Sequence, residues 1–332
     1  MEKLARALVI ILIGAVMAVP FLGRWFSEPR LADAQSLELH ARMPENGGWS
    51  LNTIYAQVGK PVTLRMTSDD VTHSFAIGQI GWTPVNISPG EWVTTTLIFD
   101  QPGEYTFYCT RWCGPNHWRM RGVIEVSGET VQSQISVSPL YLELGLDLDA
   151  PHPAQNEPDE PATASRGAKL ADRLPAYTYA ITEMQSTSPS ALWQRLRTEK
   201  SLADLTDQQV WDAVAWIYAQ LPGSADLVQA KELYQQNCQT CHGAQGKGDG
   251  VLMRGLPAMS EGSGMGNEAA RPPDFSDPKV LLGASPALLE GKIIRGGMGT
   301  GMPNWAPIFT REQIHGLALF LYLFQMNLED LP

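Results

Sequence analysis

All four cysteines of this 332-residue chain fall in two short motifs that also carry histidine. The first runs Cys109-Thr-Arg-Trp-Cys113-Gly-Pro-Asn-His117-Trp-Arg-Met120, and the second is Cys238-Gln-Thr-Cys241-His242. A further histidine, His73, lies upstream in Asp70-Val71-Thr72-His73-Ser74-Phe75. A fold that uses the first motif together with His73 must carry a distant segment to one loop. Two thiolates, two imidazoles and a thioether are soft or borderline donors, the types that suit copper. They form the ligand set of a two-copper electron-transfer centre (CuA). In that reading Cys109 and Cys113 bridge the metals, His73 and His117 supply one imidazole each, and Met120 is a weak axial ligand. Three other uses remain open. The cysteines can form a disulfide in an oxidising compartment. A single copper would take one cysteine, two histidines and a methionine, leaving a spare thiol. Zinc would take the Cys and His pairs and leave Met120 without a role.

Cys-x2-Cys-His is the spacing of covalent haem c attachment. Cys238 and Cys241 would form the thioethers, and His242 Nε2 would bind iron. A redox or zinc pair is the competing use of the same residues. The sixth iron ligand is expected to be a downstream methionine, and Met253, Met259, Met265, Met298 and Met302 stand there. Met302, in Gly301-Met302-Pro303 with Trp305 following, fits best; Met298 is second. An amphipathic helix from Thr310 to Gln325 closes the unit, with Tyr234 available to pack on it. His315 on that helix reads as an ordinary packed or surface residue.

The hydrophobic fraction of 44% and the charged fraction of 18% fit globular domains. The formal net charge of -11 argues against nucleic acid as a partner. Residues Ala7 to Gly23 form an apolar run preceded by Lys3 and Arg6 and followed by Arg24, Trp25 and Phe26. We read residues 1–27 as a transmembrane anchor with a cytoplasmic N-terminus. The soluble domains then lie on the periplasmic or extracellular face of a bacterial cytoplasmic membrane, where haem c is attached. A cleaved signal peptide is the alternative, but Ala32-Asp33-Ala34 lies far beyond the apolar core.

Between residues 36 and 132 short alternating segments, such as Val62–Met66, Val93–Ile98, Tyr105–Tyr108 and Val123–Val126, are separated by turn residues. They predict an all-β sandwich. Residues 133–165 are acidic and Pro-rich, lack apolar periodicity, and read as a linker. Residues 166–222 read as helical, and 225–326 as an all-α haem-binding unit. The two helical stretches share landmarks. Thr206, Gln209, Trp216 and Tyr218 match Thr310, Gln313, Phe320 and Tyr322, and Ser188-Pro189 matches Ser285-Pro286. Each Thr-x-x-Gln is a capping box that opens a helix. The 166–222 stretch is either a haem-less cytochrome remnant or an unrelated helical pair that starts its helices in the same way.

These residues carry a family resemblance. The region from His73 to Val126 resembles the cupredoxin domain of subunit II of haem-copper cytochrome c oxidases. Pro89-Gly90-Glu91 and Pro102-Gly103-Glu104-Tyr105 fall at that family's strand turns. The Met-Pro loop resembles that of small class I cytochromes c, and the whole resembles the fused subunit II of caa-type oxidases. The single N-terminal helix is similar to the ba-type branch. The resemblance implies a multidomain chain: transmembrane helix, cupredoxin sandwich and cytochrome c. It implies that the backbone carbonyl of Arg111 completes the copper set. Many aa-type enzymes have a magnesium-binding glutamate there, so with Arg111 the magnesium role should be absent. The implied partners are an integral-membrane haem-copper catalytic subunit and an external electron donor, a cytochrome c or cupredoxin. The implied function is electron entry, from haem c to CuA to that subunit, with no oxygen-reducing site in this chain. A nitric oxide reductase partner and a free-standing anchored carrier are the alternatives.

Overall fold

The computed structural model describes residues 35–114, 116–129, 138–221, 227–253, 271–297 and 301–328. The apolar run within 1–27 lies outside them, as do Met259, Met265 and Met298. Among the described residues, no helix is long and apolar enough to cross a membrane.

The β region is a sandwich of two sheets. One has the order β2-β8-β7-β4-β5, from Thr53–Gln57 (β2), His73–Ile77 (β4), Val85–Ile87 (β5), Gly103–Tyr108 (β7) and Arg121–Ser127 (β8). The other has the order β1-β3-β6, from Gln35–Ala41 (β1), Val62–Ser68 (β3) and Val93–Leu97 (β6). The predicted segments 62–66, 93–98, 105–108 and 123–126 become β3, β6, β7 and β8. Leu64, Met66, Leu39, Phe75, Phe107 and Ile124 meet between the sheets, each at most 1% exposed. β4 is buried along its whole length and so lacks the alternation that marked the other strands.

Two features of this sandwich set the metal-motif loop. Tyr108 pairs with Arg121 at the end of the β7–β8 ladder, so residues 109–120 form the connection between them. Phe107 pairs with Gly122, and a Cβ at Gly122 would lie 2.1 Å from Phe107 Cζ. The missing side chain lets the Phe107 ring stack on Phe75, 5.5 Å between centroids.

The helical region has two parts that share one core. The first holds Ala164–Gly167 (α1), Pro189–Arg197 (α2) and Asp207–Ala219 (α3); the second holds Leu227–Asn237 (α4), Gln239–His242 (α5), Pro286–Arg295 (α6) and Arg311–Leu321 (α7). Both expected capping boxes are present, Thr206 with Gln209 and Thr310 with Gln313. Ser188 and Ser285 each cap the helix that opens with the following proline. Met326–Asn327 pairs in parallel with Ala162–Thr163, which closes the second part onto the first.

Residues 138–165, read above within a linker, are packed on this helical core. Leu148 is 4% and Ala162 0% exposed. Backbone groups find fixed partners: Ala154 N–H donates to the Lys279 carbonyl, and Gln155 N–H to Ser190 Oγ at 3.1 Å. The Asp149 carboxylate accepts both Arg295 amino groups at 2.6 and 2.7 Å. A chain without apolar periodicity can dock this way because isolated buried side chains, one ion pair and backbone hydrogen bonds together hold it. His315 is buried, with Nδ1 in hydrogen-bond contact with the Glu290 carboxylate, itself buried.

Candidate metal and haem centres

Cys109 to Met120 is tied at its base by Cys109 N–H donating to the Met120 carbonyl at 3.1 Å. Trp49 Nε1–H donates to the same carbonyl at 3.2 Å. Inside the loop, Asn116 takes a left-handed conformation, φ 57°, and opens the short helical turn His117–Arg119. Asparagine tolerates that region better than most residues, and its side chain donates to Glu45 at 2.9 Å. The turn brings His117 back over Cys113.

The structure brings all the expected metal-site side chains to one buried spot. His73 Nδ1 lies 3.9 Å from Cys109 Sγ, and His117 Nδ1 lies 3.3 Å from Cys113 Sγ. Met120 Sδ is 3.8 Å from Cys113 Sγ, and the Arg111 carbonyl is 3.3 Å from Cys109 Sγ. The donor atoms of His73, Cys109 and Cys113 lie within 4.8 Å of one another. Each sulfur thus has one imidazole and one weaker donor beside it. Both cysteines are unpaired, so they are not joined in a disulfide.

Asp70 was not singled out by the sequence reading. His73 Nε2 lies 2.7 Å from Asp70 Oδ1, an acceptor, which makes Nε2 the donor and turns Nδ1 toward Cys109. The carboxylate thereby sets the tautomer and orientation of the imidazole. Asp70 is itself held by the Met43 N–H and by Asn46. Burial would raise its pKa, but hydrogen bonds from His73, Met43, Val71 and Asn46 bring it down to about 2. Burial opposes the His73 imidazolium, while hydrogen bonds to Cys109 and Asp70 outweigh it and raise the pKa. The three-residue spacing of Asp70 and His73 was the only sequence signal for this contact.

The two thiols hold protons unequally. The hydrogen bond from Cys113 holds Cys109 far below the ordinary thiol range, and the Ser74 N–H adds a donor 3.4 Å from its sulfur. The Cys109 sulfur, with burial, pushes Cys113 up. The metal-free pair therefore keeps a proton that a cation bound to both sulfurs must displace. Two thiols, two imidazoles, a thioether and a carbonyl at a buried spot suit a pair of copper ions.

The second motif follows α4 directly. Cys241 N–H and His242 N–H both donate to the Cys238 carbonyl, which winds the motif into α5. Tyr234 Oη–H donates to the Gly243 carbonyl at 2.7 Å and fixes the turn after His242. Tyr234 also packs on Phe320 of α7, 5.1 Å between centroids. The His242 ring stacks on Phe275 at 5.0 Å, nearly parallel. Burial lowers the His242 pKa to about 4, so the imidazole is neutral and keeps a lone pair for a metal. Its Nδ1 is buried without a hydrogen-bond partner. Burial raises Cys238 to about 12 and also raises Cys241. Neither is in a disulfide. Two protonated, unpaired thiols beside a neutral buried imidazole fit covalent haem attachment. Met302 and Cys238 both pack half-buried against the helical core, and the Met302 carbonyl accepts from Gly297 N–H at 2.9 Å.

Residues 49–127 match the family model described as cytochrome c oxidase subunit II, periplasmic domain. Residues 225–321 match the one described as cytochrome c oxidase, cbb3-type, subunit III. A cytochrome c oxidase subunit 2 of Thermus thermophilus is 36% identical over 81 residues, 24% of this chain and 58% of that protein. A cytochrome c oxidase subunit 2 of Synechocystis sp. is 28% identical over 165 residues, 50% of this chain and 42% of that protein. The chain thus spans about half the length of these curated relatives. A solved chain of a heme-copper terminal oxidase dimer is 25% identical over 38% of this chain and 97% of its own, with a TM-score of 0.26. The two family matches fall on the two parts that hold the two motifs. Residues 49–127 are thus similar to the periplasmic domain of cytochrome c oxidase subunit II, and residues 225–321 of the same chain to cytochrome c oxidase, cbb3-type, subunit III.

Proposed function

We propose that the chain is the electron-entry subunit of a membrane-bound haem-copper oxidase. It relays electrons from a haem c site at Cys238, Cys241, His242 and Met302 to a CuA site at His73, Cys109, Cys113, His117, Met120 and the Arg111 carbonyl. From there they pass to a haem in a separate catalytic subunit. One observation carries the reading: five dispersed metal-binding side chains and a carbonyl converge on one buried spot, in a loop that abuts the cytochrome unit. Bound copper would supply a one-electron centre delocalised over two metals, and haem c would supply a second one-electron centre. The protein's own residues hold those groups still. Asp70 orients His73, Trp49 and the Cys109 backbone fix the end of the loop, and Phe275 holds the His242 ring. Little rearrangement then accompanies each electron.

Residues 1–27 serve as the anchor, with the rest on the outer face of a bacterial membrane. Residues 36–132 form the copper domain, 225–326 the cytochrome, and 166–222 a haem-less counterpart of it. An external cytochrome c or cupredoxin is the donor, and the catalytic partner reduces oxygen.

The test is to purify the native complex by an affinity tag on this chain. Its consumption of oxygen and of nitric oxide is then measured. Oxygen consumption with a co-purifying many-helix subunit is the expected result. Nitric oxide consumption without oxygen consumption would move the chain to the reductase branch. Neither activity, with both cofactors loaded and no co-purifying subunit, would leave a free-standing carrier and sink the oxidase reading.

A further inference from the structure

The copper domain and the cytochrome unit meet along one seam, and the metal-motif loop lies in it. On the copper side are the end of β4, the end of β7 and the start of β8. On the other side is the segment 302–308, which begins at the candidate iron ligand Met302. Gln79 N–H donates to the Ile308 carbonyl at 2.9 Å, and the Gln79 side-chain amide donates to the Ala306 carbonyl at 2.6 Å. Arg121, which follows Met120, donates from Nη1 to the Asn304 carbonyl at 2.9 Å. Its guanidinium carbon lies 5.0 Å from the centre of the Trp305 ring. Tyr108 packs on the helical core rather than on the sandwich core.

A pocket of about 10 Å³ in this seam is bounded by Cys109, His117 and Met120 on one side and by Asn237 and Trp305 on the other. A void of that size holds at most one water. Asn237 immediately precedes Cys238, and Trp305 is three residues beyond Met302. The copper ligands thus face the segments on which both ends of the haem-binding set are carried. Electron tunnelling falls steeply with distance, and more steeply across a gap than through packed atoms. Gly78 shows how closely the surfaces fit. The three atoms nearest to a Cβ built there all belong to the cytochrome backbone, with the Pro307 carbonyl oxygen at 2.5 Å and Ile308 Cα at 2.8 Å.

We propose that this seam is a permanent docking interface for electron transfer between the two centres. Gly78, Gln79 and Arg121 are its positioning residues, and Trp305 is the side chain packed between the two sites. The cytochrome does not reach the copper domain by tethered diffusion. It is held in the transfer geometry, and an external donor delivers electrons to the cytochrome unit. This rests on the electron-entry reading above.

The experiment uses the full chain in its purified complex, loaded with both cofactors. The haem is reduced by a flash-excited ruthenium reagent, and the passage of the electron to copper is followed by absorbance. Gly78→Ala should slow that step about tenfold or more by depopulating the docked state. Arg121→Ala should do the same. Copper resonance, haem content and both reduction potentials should stay as in the parent. Arg65→Ala, which breaks an exposed pair with Glu38 on the other sheet, should leave the rate unchanged. The parent rate should not depend on solvent viscosity. An unchanged rate in both Gly78→Ala and Arg121→Ala, or a viscosity-limited rate in the parent, overturns the docking inference and leaves the electron-entry reading intact. No transfer from haem to copper in the parent overturns the electron-entry reading itself.

Discussion

The helical pairs α2–α3 and α6–α7 are opened, capped and pinned by the same side chains, yet only the second pair adjoins a haem motif. Ser188 and Ser285 cap the first helix of each pair, and Thr206–Gln209 and Thr310–Gln313 box the second. Tyr218 Oη–H donates to the Thr187 carbonyl, and Tyr322 Oη–H to the Ala284 carbonyl. Each acceptor is the residue just before the capping serine. The two tyrosines then meet edge to face, 5.0 Å between centroids, so the pairs lie back to back. The difference is in the connections. From α2 to α3 the chain turns through Lys200–Leu202 and buries Leu202 and Leu205. Between α6 and α7 lies the longer stretch that carries Met302 and Trp305 and reaches the copper domain. The helix crossings differ too. In the first pair Gly167 lets α1 lie against α3, where a Cβ would sit 1.9 Å from the Asp212 carbonyl oxygen. In the second pair Tyr234 of α4 fills the crossing against Phe320. One connection closes on its own scaffold with aliphatic side chains, and the other carries Met302 and Trp305 out to the copper domain.

The largest effects should fall on the connections. Leu202 is fully buried, so Leu202→Ala should destabilise the helical core by ~2–5 kcal/mol, read from the denaturant midpoint. The haem absorption spectrum should stay the same. Met302→Ala should do the reverse, changing the spectrum by removing the proposed sixth ligand. A haem spectrum that responds to Leu202→Ala but not to Met302→Ala would break the comparison.

The tyrosine contacts come next. Tyr218→Phe strands a part-buried carbonyl and Tyr322→Phe a buried one, and each should cost ~1–3 kcal/mol. The rings touch, so the double variant should depart from the sum. Strictly additive losses would show that the two pairs do not share this contact energetically.

The smallest effects belong to the capping boxes. Thr206→Ala and Thr310→Ala should each cost ~0.5–2 kcal/mol, and the two costs should be alike by thermal or denaturant unfolding. A clear inequality would mean that cofactor attachment, rather than helix chemistry, sets the stability of α7.

These pairs also show which features were legible in the sequence. Both caps and the matched tyrosines could be read because a capping box is a local device spanning four residues. The β strands with one exposed face could be read from alternation, and β4 could not, because both its faces are buried. The strap over 138–165 reads as linker in the sequence because its anchors, Leu148, Ala162, Asp149 and a few backbone groups, are too scattered to make a periodic pattern. His315 looked ordinary on its helix because its partner Glu290 lies on a different one.

The two Cys–His motifs and the donor types they offer were legible in the sequence alone, because the spacings within each motif are local quantities. Only the tertiary structure decided that Asp70 aims His73, that Phe107 requires a glycine at position 122, and that Gly78 and Arg121 seat the Met302–Ile308 segment on the copper loop. Each of these depends on distance in space between residues set by the packing of separate elements, and a linear pattern does not encode it.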